Sequence, residues 1–354
     1  MKVLIVQQKM IGDVLTSSIL FEAIKNKYPN SELHYVINAN TYPVVENNPF
    51  IDKFIFVTPQ IESNKFRFFA FLKSIKKENY EIVIDVYGKI TSNLIAFFSK
   101  AKTKISYHKP NTAFLYTNTL IRKKKAETQL SLAIENRLQL LEFIGVTNTP
   151  ITPQIFLTED EIENAKAFLK SSNLDLSIPI FMISALGSNE SKTYPFNYMA
   201  KLLDFIVKEV PNCQILFNYI PPQKEKAKKI YNHCTSETQK NIYFELYTKS
   251  LREFLAVSYH CTAIIGNEGG AINMGKALNI PSFCVFSPHI SKQNWFWKKE
   301  NSKDMAIHIS DFLDFSIQDK KKSKKFSEDY YLKMTPEHIV PSLGHFLKEL
   351  NYGV

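Results

Sequence analysis

A chain of 354 residues with a 45% hydrophobic fraction is long enough for two domains of ordinary size, each with its own core. Its four cysteines (Cys213, Cys234, Cys261, Cys284) lie far apart, with no CxxC pair and no histidine cluster, which excludes a disulfide scaffold or structural zinc and fits buried, reduced thiols. The formal net charge of +10 calls for an anionic partner or surface. Without a leader-like start or an apolar run of about 18 residues, a soluble intracellular protein is expected.

The first element is a buried strand over Lys2 to Gln7, short, apolar and β-branched. A helix follows from about Val14 to Tyr28 and closes at Pro29. Strands are predicted at Leu33 to Ile37 and Phe54 to Val57, with a short helix at Val44 and Val45 between them. Phe66 to Lys77 reads as a helix, Ile82 to Val86 as a strand ended by Gly88, and Thr91 to Phe98 as the next helix. A further strand is expected to open the segment Ser106 to Tyr116, and Ala126 to Phe143 reads as helical up to Gly145. This alternation is the signature of parallel βαβ units. Linker composition places a domain boundary within 150–178, with a helix over Glu159 to Lys170 that Asp160 would cap. The second half repeats the pattern. Strands are predicted at Ile180 to Ser184, Gln214 to Asn218, Ala263 to Gly266 and Ser282 to Phe286. Helices are predicted at Tyr198 to Val210, Lys224 to Cys234, Leu251 to Val257 and Ile272 to Leu278. Two such halves imply an α/β protein with two facing domains and a ligand cleft, since open α/β sheets bind ligands beyond the carboxyl ends of their strands.

Three loops carry the chemistry. Gln7 to Asp13 leaves the first strand. Gly12 is read as permitting a tight turn there, Lys9 as holding an anionic group, and Asp13 as either a helix-terminal charge or a carboxylate general base. Ser184 to Lys192 follows a strand, with Gly187, Ser188 and Lys192 suited to an anion such as phosphate. Ile264 to Asn273 is a strand, a glycine-rich turn and a helix. Gly269 and Gly270 permit close approach of a phosphate, and Asn267, Glu268 and Asn273 surround it. No dinucleotide fingerprint and no Walker A core are present. His289 follows the next strand, and Trp295 and Trp297 either cover a cleft or pack. The aromatic helix Phe66 to Leu72 reads as core packing or, beside Lys65, Arg67 and Lys73, as a membrane-facing patch. The run Lys320 to Lys325 reads as a solvated stretch or a contact for an anionic membrane, and Thr335 to Leu350 as a last helix. The concentration of lysines near the tail and the lack of a recognition motif speak against nucleic acid.

Read together, these loops resemble glycosyltransferase family nine, the lipopolysaccharide heptosyltransferases. The resemblance lies in KVLIVQQKMIGDVLTSSILFEAIKNKYPNSELHYVI at the start, YEIVIDVYGKITSNLIA from Tyr80 to Ala96, SALGSNESKTYP, and CTAIIGNEGGAINMGKALNIPSFCVFSP from Cys261 to Pro288. It implies a GT-B fold of two facing Rossmann-like domains, an acceptor-side domain over 1–165 and a nucleotide-sugar domain over 175–325. A carboxyl-terminal helix over 330–354 would pack back on the first domain. It implies an inverting, metal-independent transfer from a nucleotide-sugar substrate, with ADP-heptose as the family donor and no further cofactor. The acceptor would be a lipid-linked or oligosaccharide chain of the lipopolysaccharide core, met in the cytoplasm or at the cytoplasmic face of the inner membrane. Asp13 would be the base, with Lys9 and Gly12 on the acceptor side. Ser188, Lys192, Gly269, Gly270 and Asn273 would hold the donor phosphates, and Gly187, Glu225, Asn267 and Glu268 would line the nucleotide side. The family signature Asp-Thr-Gly-x-x-His is altered here, its Asp and His being read as exchanged for Asn267 and Asn273. That change leaves two rival readings, a non-catalytic glycan-binding protein and a nucleotide-sugar epimerase of the same architecture.

Overall fold

The computed structural model describes residues 1–147 and 150–350. The chain divides into two compact units, Met1–Phe156 and Leu157–Val354.

The first unit is built on six parallel strands: β1 (Lys2–Val6), β2 (Glu32–Ile37), β3 (Lys53–Phe56), β4 (Ile82–Asp85), β5 (Thr103–Tyr107) and β6 (Asn118–Leu120). They lie in the order β3-β2-β1-β4-β5-β6. Val3 to Val6 are fully buried, as are Val36, Ile37, Val83 and Ile84, so the central strands are apolar on both faces. The helices are α1 (Ile11–Ser17), α2 (Ile19–Lys27), α3 (Pro59–Ser63), α4 (Lys65–Lys77), α5 (Ile90–Phe98) and α6 (Leu132–Gln139). The single helix expected over Val14 to Tyr28 begins three residues earlier and is interrupted at Ser18, where the Ser18 and Thr16 hydroxyls bond back to the Leu15 and Gly12 carbonyls. The helix expected from Ala126 starts only at Leu132. Residues 126–131 are instead drawn onto the Glu135 carboxylate, which accepts from the Glu127 and Thr128 amides and the Thr128 hydroxyl.

The second unit holds five parallel strands: β7 (Ile180–Ser184), β8 (Gln214–Phe217), β9 (Ala263–Asn267), β10 (Ser282–Val285) and β11 (Met305–Ile307), in the order β11-β10-β9-β7-β8. Its helices are α7 (Glu159–Ser171), α8 (Phe196–Glu209), α9 (Lys224–His233), α10 (Ser236–Asn241), α11 (Leu251–Tyr259), α12 (Gly270–Ala277), α13 (Lys292–Trp295), α14 (Ile317–Ser323), α15 (Ser327–Leu332) and α16 (Pro336–Glu349). The units divide at Phe156, inside the expected 150–178 range, and α7 falls in the second unit because it packs on α11 and its Glu161 carboxylate pairs with Arg252. Thr158, not Asp160, caps α7, in a reciprocal capping box with Glu161.

The expectation that the last helix packs back on the first domain is corrected. Ile339, Leu343, Phe346 and Leu347 of α16 are buried in the second unit's own core, α16 lies against α8, and the Phe346 ring meets Phe283 of β10. Four apolar side chains on one helical face need a hydrophobic partner, and α8 supplies it. The part of that expected segment over 351–354 lies outside the described residues. Among the described residues no helix is long and apolar enough to cross a membrane.

In each sheet the strand order reverses once, between β1 and β4 in the first unit and between β7 and β9 in the second. The loops singled out in the sequence leave the carboxyl ends of these strands, where a doubly wound sheet leaves room for a ligand.

Candidate active site

In the first unit the turn after β1 is made by Met10, not Gly12. Met10 takes the left-handed φ of 69°, and Gly12 and Asp13 already lie in the first turn of α1. Asp13 Oδ1 accepts a bond from Arg137 Nη2 at 2.6 Å. Arg137 is buried on α6 and is fixed by two more bonds, Nε to Ser17 Oγ and Nη1 to the Ala133 carbonyl, both 2.8 Å. The Asp13 side chain is thereby aimed while still about a third exposed, at 30%. Lys9 is not free for a substrate anion as expected. Its ammonium donates to Glu62 Oε2 of α3 at 2.8 Å, and that bond raises the lysine pKa.

Beside this turn, β4 ends in Asp85, wholly buried. Its carboxylate accepts from the Gly88 amide at 2.8 Å and from the Tyr116 hydroxyl at 2.6 Å, and burial raises its pKa against those bonds. The fully buried Gln8 accepts from Thr91 of α5 at 2.6 Å and ties the β1 loop to the β4 loop. Sequence reasoning missed Arg137 and Tyr116. The one signal for the first was Glu135-Asn136-Arg137, three consecutive polar residues inside an otherwise apolar helix, all of them buried.

In the second unit the loop after β7 is closed on itself. The Gly187 amide donates to Thr193 Oγ at 3.1 Å, and Thr193 donates to the Asn189 carbonyl at 2.8 Å. A Cβ on Gly187 would stand 2.2 Å from the Lys192 carbonyl oxygen, so only glycine permits the closure that sets Lys192. Ser188 is exposed on the rim. Gly266 on β9 has a comparable constraint, with φ +133° and the Ser184 carbonyl oxygen 2.4 Å from an added Cβ.

Asn267 is corrected from a nucleotide-side residue to an internal tie. It is fully buried, its Nδ2 donates to the Ser184 and Ala185 carbonyls at 3.0 and 2.8 Å, and its Oδ1 accepts from the Tyr194 amide at 2.7 Å. The acid of the turn is Glu268. In the signature Asp-Thr-Gly-x-x-His the acid stands two places before the glycine and the histidine three places after it. That spacing puts Glu268, Gly269, Gly270 and Asn273 in the places of Asp, Thr, Gly and His, so an acid is retained while the threonine and the histidine are exchanged. Glu268 is 8% exposed, and its Oε2 has no hydrogen-bond partner while lying 3.9 Å from Lys192 Nζ. Burial raises its pKa, and the Lys192 charge opposes the rise. Gly269 is half-buried and Gly270 exposed at the start of α12, with Asn273 half-buried one turn on. A Cβ on Gly269 would meet nothing within 4 Å, so the face of this turn is open.

His289 joins the cluster. Ser287 Oγ donates to the Ser191 carbonyl at 2.7 Å and lies 2.9 Å from His289 Nδ1, which places the imidazole proton on Nδ1 and leaves Nε2 an acceptor. Burial and then the charges of Lys192 and Lys324 lower the His289 pKa, which favours the neutral ring. Glu225 is exposed in the first turn of α9, beyond the carboxyl end of β8, and the neighbouring Lys226 bonds Glu190 of the Lys192 loop at 2.9 Å. Trp297 is a packing residue. Its carbonyl takes a bond from the buried Lys276 of α12, whose ammonium lies 4.0 and 4.3 Å from the Phe296 and Trp297 ring centres.

A fixed carboxylate in one unit, and a lysine beside a glycine-rich helix start in the other, are groups suited to deprotonating a hydroxyl and to holding a diphosphate. Comparison with known proteins agrees. The model of glycosyltransferase family 9 (heptosyltransferase) matches residues 68–325. Lipopolysaccharide heptosyltransferase 1 of Campylobacter coli is 24% identical over 84% of this chain and 86% of its own length. Among solved structures, a family 9 glycosyl transferase from Veillonella parvula superposes with a TM-score of 0.83 at 16% identity, covering 98% of this chain and 97% of that one. The E. coli ADP-heptose lps heptosyltransferase II gives 0.72 at 16% identity, over 99% of both chains. The fold is the α/β GT-B type with two Rossmann-like units. With its retained acid, its glycine-rich turn and a family match spanning both units, this chain belongs to glycosyltransferase family 9, the heptosyltransferases, and is a sugar-transferring enzyme rather than an epimerase or a non-catalytic binder.

Proposed function

We propose that the chain transfers heptose from ADP-heptose to a lipopolysaccharide-core acceptor, with inversion at the sugar carbon. The observation that carries this reading is the pair of polar loops at the two switch points, one ending in the Arg137-held Asp13 and the other in Lys192 beside Glu268, whose Oε2 has no hydrogen-bond partner. Asp13 takes the proton of the acceptor hydroxyl as its oxygen bonds to the anomeric carbon. The bond from that carbon to the diphosphate breaks, and ADP leaves with the electron pair. Lys192, the Ser188 hydroxyl, Asn273 and the amides at Gly269 and Gly270 hold the charge that develops on the diphosphate, which is where fixed donors lower a barrier most. Glu268 Oε2 and His289 Nε2 are acceptors for sugar hydroxyls. Glu225, beyond β8, is the candidate for the nucleoside. None of these roles requires a metal.

A lipid-linked acceptor places the work in the cytoplasm, at the inner face of the membrane. The test is transfer measured with ADP-heptose and a core acceptor, beside Asp13→Asn. Loss of transfer by about 10²–10⁴-fold with donor binding retained supports the assignment. Unchanged transfer by that variant removes Asp13 as base, and no transfer of heptose by the parent removes the donor.

A further inference from the structure

Five exposed apolar side chains of the first unit fall on one group of neighbouring elements. Helix α4 turns Phe71, Leu72 and Ile75 inward, all buried. Its outer side carries Phe66, 88% exposed, and Phe69, whose ring meets Phe98 of α5 at 6.2 Å. Helix α5 packs on α4 and presents Ile90, 79% exposed, and Phe97. The turn over Ala113–Leu115 packs on α5 and presents Phe114, 80% exposed. Single exposed apolar residues are ordinary, but several on adjoining elements mark an interaction surface.

Charge decides what this surface faces. Helix α4 carries Lys65, Arg67, Lys73, Lys76 and Lys77 and no acid, and none of these cations is in an ion pair among the described residues. The Lys73 ammonium lies 4.9 Å from the Phe69 ring centre, and that of Lys100, just past α5, lies 4.8 Å from the Phe97 ring centre. Rings to enter the acyl boundary and ammonium groups beside them to meet headgroups are the composition of an interfacial helix. A protein partner with a matching apolar face would leave these cations without counter-charge. An anionic bilayer satisfies both at once.

The geometry points to the outer faces of α4 and α5, with the turn at Phe114, as the surface that docks this protein on an anionic phospholipid bilayer. The lysine run 320–325 is not this surface: it belongs to the second unit and is carried largely on the short α14, where exposed Ile317 and the neighbouring Phe326 are fewer than the five exposed apolar side chains on α4, α5 and the turn at Phe114. The inference deepens the lipid-linked-acceptor reading. Its assay contains neither donor nor acceptor, so failed docking and failed sugar transfer are separate results.

The test is flotation of the full chain with phosphatidylglycerol–phosphatidylcholine vesicles against pure phosphatidylcholine. The parent is expected to bind the anionic vesicles at least about tenfold better, and less so in high salt. The triple variant Phe66→Ser, Ile90→Ser, Phe114→Ser is expected to lose binding by about tenfold or more with an unchanged melting temperature, because these side chains are exposed. Lys320→Ser with Lys321→Ser and Lys322→Ser should leave binding within about twofold. Equal binding by the parent and the triple variant overturns the proposal, as does loss of binding in the tail variant alone. A parent that ignores vesicles but forms a dimer that the triple variant abolishes assigns the face to a second copy and overturns it too.

Discussion

Arg137 reaches Asp13 from a helix 124 residues away, and that distance in sequence explains why the pair was not legible. A carboxylate after Gly12 could be noticed in a row of letters, but its partner could not, because the bond exists only once α1 and α6 pack. Arg137→Gln keeps a polar side chain in place but loses the two-point grip on Ser17 and Asp13. Transfer should fall by roughly 10–100-fold in kcat with little change in donor affinity, since a small misplacement of a reacting group costs that much. Steady-state kinetics beside donor titration checks it. Asn267 teaches the converse lesson. Its letter sits one place before the signature acid and invites a ligand role, but three buried bonds show it holding β9 to the β7 loop. Asn267→Ala orphans two carbonyls and one amide and should destabilise by about 3 kcal/mol, lowering Tm by roughly 10 °C. Calorimetry measures it directly.

At the scale of elements, the strands and helices of both sheets were legible because their periods are local: short β-branched runs, then apolar residues three and four apart. The short pieces were not. β6, β11, α14 and α15 have three to seven residues each, too few for a period to show. The placement of α16 was also beyond the sequence, because its apolar face fits any hydrophobic partner and only packing selects α8. One element carries a pH dependence. Helix α12 ends near Lys276, where burial lowers the ammonium pKa to about 8 from its ordinary 10.5, against the attraction of Asp304. The unfolded chain therefore binds more protons between these values, and this lysine's penalty on stability at pH 7 is relieved as pH rises through 8 towards 10.5. Relative to Lys276→Met, the parent should gain on the order of 2 kcal/mol between pH 7 and pH 10, read from urea unfolding at each pH. A constant difference across that range would show that the amine is not a buried cation at neutral pH.

At the scale of the whole molecule, the chain forms two units, and the boundary at Phe156 assigns α7 to the second. Every residue assigned to the donor lies in Leu157–Val354. That segment expressed alone should bind ADP within about tenfold of the full chain's affinity, because the Gly187 closure and the Glu268 turn use bonds only within it. Titration calorimetry on the fragment tests this.

The central claim is that Asp13 and Lys192 serve the two halves of one transfer. The most direct measurement follows heptose leaving ADP-heptose in the presence of a core acceptor for the parent, Asp13→Asn and Lys192→Ala. The account predicts turnover by the parent, loss of about 10²–10⁴-fold in the first variant with ADP-heptose binding kept, and loss of both binding and turnover in the second. Transfer at the parent's rate in either variant would contradict it.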